Sequence, residues 1–489
     1  MKAIVIGSGV AGLAAAARLQ SKGYETTIFE SNHYPGGKLT EIGSDGYRFD
    51  AGPSLFTLPK LLDDVFLAAN KNPREYYDYE KLDVACHYFY EDGIQLKSYT
   101  DSKKFGAEIE QVLGVRAQTV VDHLKKSKLI YEEAGLIFLN SSLHKASTWL
   151  AKDVLKALVK IYKYDILKSM NQANEASLTH PKLVQLFNRY ATYNGSNPYK
   201  APGILNSIPH LEHNIGTFFP KGGMHSITNA LVQLNLDLGV VFKFDSAVDE
   251  VVVANKRIQG VRSKGVFFEA DRVISNMDIY HTYDKLLPEH QVPRQIRKQE
   301  RSSSALIYYW GIKKEFKELG LHNIFFSEDY ATEFDYLFNK KELYHDPTVY
   351  INITSKLNRT DAPLGNENWF VMVNAPCNEG QDWTLIKERS RKAIVDKVSR
   401  ILKTDVEPLI ETQEVLEPST IESKTSSYKG SLYGTSSNSK LAAFLRHPNF
   451  SSRIKGLYFC GGSVHPGGGI PLSLLSGKIV ADLMPQVSN

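Results

Sequence analysis

The sequence predicts a two-domain α/β protein in which a Rossmann-like nucleotide-binding domain carries a second, α+β domain. Three observations lead to this prediction: an N-terminal strand–helix–strand unit with closely spaced glycines, a C-terminal strand that runs through a second glycine cluster into a helix, and a length of 489 residues. A chain of that length exceeds what one ordinary hydrophobic core holds, so two domains are expected.

The N-terminal unit has the pattern of a dinucleotide fingerprint. An apolar strand leads into three glycines in G-x-G-x-x-G spacing, and a second strand ends at Glu30. Gly7 permits the tight turn, Gly9 lets the backbone approach a pyrophosphate, and Gly12 lets the helix pack closely on the strand. The helix N-terminus would then face the phosphates, and the Glu30 carboxylate would bind ribose hydroxyls.

A second glycine and proline stretch follows this unit. Gly36 and Gly37 precede Lys38, and the segment 49–53 reads Phe-Asp-Ala-Gly-Pro. A glycine doublet at this place resembles the flavoprotein version of the fold, in which a second pass of backbone runs beside the cofactor. FAD is therefore expected rather than NAD. Such proteins usually carry arginine where this chain has Lys38, which keeps a cation near the pyrophosphate without the bidentate fork.

Another glycine cluster lies near the C-terminus. Residues 456–462 read as a strand that ends at glycines, and a helix is predicted over about 472–483. Five glycines within the nine residues 461–469 mean that the backbone passes something closely. Pro471 suits the first helical turn, where its missing N–H costs nothing. A strand, a glycine turn and a helix N-terminus together form a site for negative charge.

The middle of the chain supplies a third part of the nucleotide domain. Residues 219–224 open a helix of about fourteen residues, and hairpin turns are predicted at 255–256 and 264–265. A strand over 270–276 returns to the nucleotide domain. Val248 is expected to contact the adenine through its backbone.

These segments give one set of expected cofactor-contacting residues, which flank the glycine turns or follow the strands that lead to them. The set comprises Gly7, Gly9, Val10, Ala11, Gly12, Glu30, Ser31, Gly36, Gly37, Lys38, Gly52, Pro53, Ser54, Val248, Asn276, Gly461, Gly462, Gly469, Ile470 and Pro471.

Composition excludes several other classes of function. A net charge of +4 over so long a chain gives no indication of nucleic-acid binding. The cysteines, Cys86, Cys377 and Cys460, lie far apart and form neither a disulfide framework nor a zinc spacing, as expected in a reducing cytoplasm. No metal site is predicted. No apolar run reaches the ~18 residues of a membrane span, and the apolar N-terminus is explained by the nucleotide unit rather than by a signal peptide.

Taken together, the motifs resemble the bacterial-type carotenoid desaturases, the group that includes phytoene desaturase, within the two-dinucleotide-binding-domain, amine-oxidase-like flavoproteins. Order and spacing agree along essentially the whole chain. The matching segments are 7–12, 49–53, Asn194–Pro198, Pro220–Gly223 and 461–471. The resemblance implies FAD as the chief catalytic group, membrane association, and removal of two hydrogens from a C–C bond of a long polyene. The tail is more similar to desaturases that act at the 3,4 bond of hydroxylated acyclic end groups.

Within this framework the FAD domain is expected to be discontinuous. It would comprise 1–80, 215–285 and 440–489, with a substrate-binding and membrane-associating domain over 81–214 and 286–439. Residues 145–168 carry six lysines against two aspartates, with apolar residues at spacings of three and four and Trp149 near the start. This pattern favours an amphipathic helix on a membrane surface, and a solvated lysine-rich face over an ordinary core is the alternative.

Catalytic residues are less well defined by the pattern. His465 lies in the C-terminal glycine motif, and Arg189, His210 and Glu212 are further candidates for catalysis or for binding a substrate hydroxyl. The electron acceptor is expected to be oxygen or a quinone. Alternatives are phytoene as substrate, an amine or porphyrinogen oxidase, a carotenoid isomerase or polyene reductase, and a prenyl-binding chaperone of the same fold that lacks FAD.

Overall fold

The N-terminal and C-terminal strands lie in one five-stranded parallel sheet, called here the nucleotide sheet. In spatial order its strands are Leu457–Phe459, Arg272–Ser275, Lys2–Ile6, Glu25–Phe29 and Val241–Lys243. Parallel pairing brings the carboxyl ends of all five to the same edge. The returning strand Arg272–Ser275 lies between the first and the last strand, so the ends of these three strands are neighbours. This confirms the predicted Rossmann-like unit.

The structure is a computed structural model and describes residues 1–135, 139, 142–149, 152–439 and 446–487. Within these ranges the α-helices are Val10–Ser21, Lys60–Ala68, Ser102–Leu113, Ala117–Ile130, Ala146–Trp149, Lys152–Val159, Met170–Glu175, Pro181–Asn188, His225–Asp237, Ile279–Leu286, Arg294–Lys298, Tyr330–Asp335, Trp383–Leu402, Pro418–Thr425 and Ile470–Leu483.

Two of these helices begin directly at the glycine turns. The leading helix, Val10–Ser21, follows the first strand, and the closing helix, Ile470–Leu483, follows the last. They pack against each other, and a Cβ at Gly477 would lie 2.8 Å from the carbonyl oxygen of Ala11 and 3.1 Å from the nitrogen of Ala15. The missing side chain therefore lets the two helix axes approach closely.

The predicted hairpins form a separate three-stranded antiparallel sheet. Its strands are Val248–Ala254, Arg257–Ser263 and Val266–Glu269. Asn255 and Lys256 have φ of 51° and 59°, and Lys264 and Gly265 have φ of 50° and 76°. Positive φ at both central residues is typical of the tight turns whose twist matches a hairpin. Both predicted turns are confirmed.

A seven-stranded sheet, called here the long sheet, dominates the second half of the molecule. In spatial order its strands are Ile410–Leu416, Ser304–Ile312, Glu367–Ala375, Val349–Asn352, His322–Phe325, Val84–Phe89 and Gln95–Tyr99. Two small antiparallel pairs complete the described strands: Glu41–Ser44 with Tyr47–Asp50, and Tyr79–Lys81 with Phe218–Pro220. The residue boundaries of the two domains stay a prediction.

The segment 145–168 departs from the single helix that its composition predicts. It forms the helices Ala146–Trp149 and Lys152–Val159 and then a 3₁₀ turn, while residues 150 and 151 lie outside the described residues. The ring of Tyr164 is buried and its hydroxyl donates to Glu133, and Asp165 has a φ of 50°. The helix therefore ends at Val159, and the buried ring of Tyr164 and the left-handed backbone of Asp165 show that the helix does not continue to 168.

Gly477→Val should lower the thermal unfolding midpoint and the flavin content of the purified protein. Its branched side chain would push the leading and closing helices apart, and overpacking of this kind costs about 1–3 kcal/mol. Gly43→Val is the matched control, since a Cβ there has no neighbour nearer than 4.0 Å. Equal midpoints for the two variants would contradict the close packing.

Candidate active site

A cavity of about 1200 Å³ is lined by residues of both large sheets. Ordinary small-molecule sites occupy roughly 300–1,000 Å³, so this cavity has room for a dinucleotide together with part of a second ligand. All of the expected cofactor-contacting residues except Gly12 lie on its wall. The segments predicted to share one site, at the two ends of the chain and at Val248 and Asn276, are therefore brought together.

Gly12 has the packing role that its spacing predicts. A Cβ at this position would lie 2.2 Å from the carbonyl oxygen of Gly7, closer than any side chain could approach. Gly12 therefore lies beneath the turn, where it holds the leading helix against the first strand, and it is not among the described residues of the cavity wall.

The N-termini of the leading and closing helices open into the same cavity. Val10 and Ala11 line it at one helix, and Ile470 and Pro471 line it at the other. Neither helix has a side-chain cap among the described residues, and neither carries an acidic residue in its first turn. Free N–H groups and the positive ends of both helix dipoles therefore face the cavity, which favours an anionic ligand.

Glu30 connects the first glycine turn to the loop after the second strand. One carboxylate oxygen accepts from the backbone N–H and the hydroxyl of Ser8, at 2.9 and 2.6 Å. The other accepts from the backbone N–H of Asn32 at 2.9 Å and from the hydroxyl of Ser31 at 3.2 Å. These bonds hold the carboxylate at the cavity wall, where the fingerprint places a ribose.

Lys38 lies at the cavity wall, where backbone oxygens hold its ammonium. Its ammonium donates to the backbone carbonyl oxygens of Ser431 and Leu432, at 3.0 and 2.8 Å. Burial lowers the pKa of Lys38 to about 8. Two of its three N–H donors tie the loop at 431–432 to the nucleotide half. The contact of Lys38 with a pyrophosphate stays a prediction.

One face of the long sheet forms an apolar row along the cavity. Leu416, Ile307, Met372, Tyr350 and Ile324 lie opposite one another on five successive strands. Residues directly opposite in neighbouring strands share a face, so all five side chains project to the same side. All five line the cavity, which gives it an extended wall that is mostly apolar.

A buried polar cluster lies near the end of the row, because the guanidinium carbon of Arg189 is 5.4 Å from the ring centroid of Tyr88, which pairs with Ile324. Nη2 of Arg189 lies 3.2 Å from a carboxylate oxygen of Glu212, and both side chains are almost fully buried. The same oxygen accepts from the hydroxyl of Tyr190 at 2.6 Å, and that hydroxyl lies 2.8 Å from Nε2 of His213. Arg189 and Glu212 both line the cavity, which is necessary for either of the roles predicted for them, catalysis or binding of a substrate hydroxyl. Their role in catalysis stays a prediction.

Two histidines suggested by the sequence are not among the described residues that line the cavity. Nδ1 of His210 lies 2.9 Å from the side-chain nitrogen of Asn214. The carbonyl oxygen of His465 accepts from the side chains of Asn449 and Ser476, at 2.7 and 3.0 Å. These bonds fix the glycine-rich turn by its backbone, so the geometry gives His465 a structural place and does not support it as a base.

Two strands of the long sheet supply polar residues that the sequence did not indicate. His322 and Tyr350 line the cavity, and Nδ1 of His322 lies 2.8 Å from the hydroxyl of Tyr350. The same hydroxyl lies 2.8 Å from that of Ser54, and Nδ1 lies 3.1 Å from the side-chain nitrogen of Asn352. No local motif marks these residues, because strand pairing alone brings them together.

The fold and the cavity define an FAD-dependent oxidoreductase, with one glycine turn at each end of the chain offering helix N-termini to the cofactor. Residues 10–485 match the family described as flavin containing amine oxidoreductase. The chain belongs to that family. Its 51% identity to a 1-hydroxycarotenoid 3,4-desaturase places it in the carotenoid desaturase branch of the family.

Curated relatives cover the whole chain. A 1-hydroxycarotenoid 3,4-desaturase from Flavobacterium sp. (strain P99-3) is 51% identical over 487 residues, covering 100% of this chain and 99% of the relative. A 4,4'-diaponeurosporene oxygenase from Staphylococcus aureus (strain MSSA476) is 32% identical over 492 residues, covering 98% and 97%.

Solved structures with this fold are more distant in sequence. An oxidoreductase from Methanosarcina mazei has a TM-score of 0.64 at 14% identity, covering 99% of this chain and all of that one. Cyclohexylamine oxidase from Brevibacterium oxydans IH-35A has a TM-score of 0.61 at 14% identity, with 99% and 98% covered. At this identity they show the amine-oxidase fold alone.

Glu30→Ala should weaken FAD binding by about 1–3 kcal/mol, the scale of a pair of charge-assisted hydrogen bonds. Titration of the apoprotein with FAD, followed by flavin fluorescence, gives the dissociation constant. Glu30→Gln keeps the volume and removes the charge, so its affinity should fall between those of the wild type and the alanine variant. An unchanged dissociation constant for Glu30→Ala would show that the carboxylate does not contact the ribose.

Proposed function

We propose that the protein is an FAD-dependent carotenoid desaturase that removes two hydrogens from the C3–C4 bond of a 1-hydroxylated acyclic or γ-carotene-type end group. The observation that carries the proposal is the 51% identity, over the whole chain, to a 1-hydroxycarotenoid 3,4-desaturase. The cavity supports it independently. An apolar row fits a polyene, and the polar cluster of Arg189 and Glu212 near the end of the row fits a hydroxylated chain end.

Desaturation takes a hydride and a proton from adjacent carbons. Bound FAD would accept the hydride, and the flavin itself or a bound water would accept the proton. The protein contributes position and exclusion of water. The row from Leu416 to Ile324 would hold an extended chain along one line, and fixed orientation lowers the barrier by removing translational and rotational freedom before reaction. The helix N-termini at Ala11 and Ile470 would stabilise negative charge on the cofactor.

Other functions of the same fold fit the molecule less well. A prenyl-binding chaperone that lacks FAD has no need of two uncapped helix N-termini beside Glu30. An amine or porphyrinogen oxidase would be favoured by a cavity with mostly polar walls, whereas the row along the long sheet is mostly apolar. Phytoene, a hydrocarbon, would leave Nε of Arg189 unpaired, since this atom has no partner among the described residues. An isomerase would use the same site without net desaturation. The electron acceptor, oxygen or a quinone, stays a prediction.

Anaerobic mixing with a 1-hydroxylated acyclic or monocyclic carotene should bleach the flavin, and phytoene should bleach it poorly. The hydroxyl is expected to satisfy buried polar groups that a hydrocarbon end leaves unpaired, a difference of roughly 1–3 kcal/mol. Absorbance of the flavin records the reduction, and product analysis identifies the new double bond. Bleaching by phytoene alone would favour phytoene desaturation. Bleaching by an amine or porphyrinogen alone would remove the carotenoid assignment.

Membrane docking is proposed for one surface segment. Val159, Tyr162 and Leu167 are 78%, 75% and 81% exposed, and Ile161 is exposed beside them; these four residues are called here the apolar patch. Lys163 and Lys168 are exposed in the same segment. Exposed apolar side chains among lysines suit an anionic lipid surface and would give a lipid-soluble substrate a route to the protein. No described helix is long and apolar enough to cross a bilayer.

Replacing Tyr162 and Leu167 together by glutamate should weaken binding to anionic liposomes roughly tenfold or more, because the variant loses apolar burial and adds negative charge. Co-sedimentation at low and high salt measures the effect. Leu364→Glu is the control, since Leu364 is fully exposed but lies outside the patch. If both proteins sediment with liposomes as the wild type does, the segment is an ordinary surface.

A further inference from the structure

His322 carries a buried donor that nothing in the described protein satisfies. The residue is 3% exposed and lines the cavity. Its Nε2 has no hydrogen-bond partner among the described residues. Leaving such a group unpaired in a folded protein is costly, so a ligand atom is expected opposite it.

The tautomer of His322 follows from its neighbours. The side-chain nitrogen of Asn352 lies 3.1 Å from Nδ1, and an amide nitrogen can only donate, so Nδ1 accepts. The hydroxyl oxygen of Tyr350 lies 2.8 Å from the same nitrogen and 2.8 Å from the hydroxyl oxygen of Ser54, so it holds the ring in this orientation. Burial, followed by the charge on Arg189, lowers the pKa of His322 to about 3, so the ring is neutral. The single ring proton must then lie on Nε2.

Strand register fixes where this donor lies. His322 pairs with Asn352, and Ile324, two residues further along, pairs with Tyr350. His322 therefore shares a face with Ile324, the last member of the apolar row, and lies one side-chain step along the strand from it, beside the end of the row. The buried pair of Arg189 and Glu212 lines the same cavity, and Nε of Arg189 is also without a partner among the described residues. A chain lying along the row would have His322 beside its end at Ile324, and Arg189, which lies over the ring of Tyr88 on the next strand, is close to the same end.

We propose that the Nε2–H of His322 donates a hydrogen bond to the oxygen of the substrate's end group and so selects oxygenated ends over hydrocarbon ends. Asn352 and Tyr350 are positioning residues, because they set the tautomer and the orientation of the ring. This inference rests on the proposed function and adds the residue that distinguishes the 1-hydroxylated end. A hydrocarbon end would bury the donor unpaired and would be turned over less well.

Two substitutions separate this role from a structural one. His322→Asn places an acceptor near the position of Nδ1, so it keeps the bonds from Tyr350 and Asn352 but does not reach the cavity with a donor. His322→Gln places an N–H near the position of Nε2 and gives up the acceptor at Nδ1. A purely structural histidine would be replaced better by asparagine, whereas a ligand-binding histidine would be replaced better by glutamine.

The holoenzyme in liposomes is given an acyclic polyene with a tertiary hydroxyl at C1 and, separately, the same polyene without it. We divide kcat/KM for the hydroxylated polyene by kcat/KM for the polyene without the hydroxyl. This ratio should fall roughly tenfold or more in His322→Asn and stay within about threefold of the wild type in His322→Gln, the scale of one hydrogen bond lost or kept. Flavin absorbance shows that both variants hold FAD.

A wild-type ratio in His322→Asn, or an equal loss in both variants with FAD retained, would overturn the role of His322. The proposed function fails separately, when the wild-type enzyme desaturates neither polyene. A wild type that desaturates both polyenes equally would also contradict the selection by His322, while leaving carotenoid desaturation intact.

Discussion

Three parallel strands end side by side at one edge of the nucleotide sheet, and the whole site depends on how closely their backbones pass. Asn276 follows the middle strand, and its amide donates to the carbonyl oxygen of Gly7 at 3.4 Å. A Cβ at Gly9 would lie 2.8 Å from one atom of this amide, and a Cβ at Gly461 would lie 2.7 Å from the other. Neither turn can accept a side chain, so both helices begin at the cavity wall with their N–H groups facing inward.

The second half of the site has a different physical origin. Alternation along the strands of the long sheet directs every second side chain to the cavity, which makes an apolar row from Leu416 to Ile324. The buried ion pair of Arg189 and Glu212 and the unpaired donor of His322 both lie near the end of the row at Ile324. The nucleotide half of the site thus presents the positive ends of two helix dipoles, which favour an anionic ligand. The wall of the long sheet is apolar, with polar groups near one end.

Sequence patterns predicted the nucleotide half because its signals are local. Glycine spacing requires particular turns within a few residues, and the hairpins at 255–256 and 264–265 follow from the same rule. The wall of the long sheet could not be predicted in this way, since the strand at His322 pairs with strands around His87 and Asn352 that lie far away in the sequence. Composition indicated a basic amphipathic helix over 145–168, but the helix ends at Val159 and a 3₁₀ turn with the buried Tyr164 follows, which no local pattern marks.

The contrast between local motifs and long-range strand pairing also explains why the sequence indicated His465 and not His322. His465 stands in a motif and is buried away from the described cavity wall, while His322 stands in no motif and faces the cavity. A glycine motif predicts the path of the backbone near the cofactor. Which side chains line the cavity is determined only by the tertiary fold. The contacts of the expected cofactor-binding residues with FAD stay a prediction, although the structure brings all but Gly12 to one wall.

A crystal structure of the FAD complex is the most direct test, because the cofactor should lie in the cavity that the first and last segments of the chain share. The pyrophosphate should accept hydrogen bonds from the backbone N–H groups at Val10 and Ala11, and the flavin ring should contact the turn that precedes Ile470. A flavin bound away from either glycine turn would contradict the account.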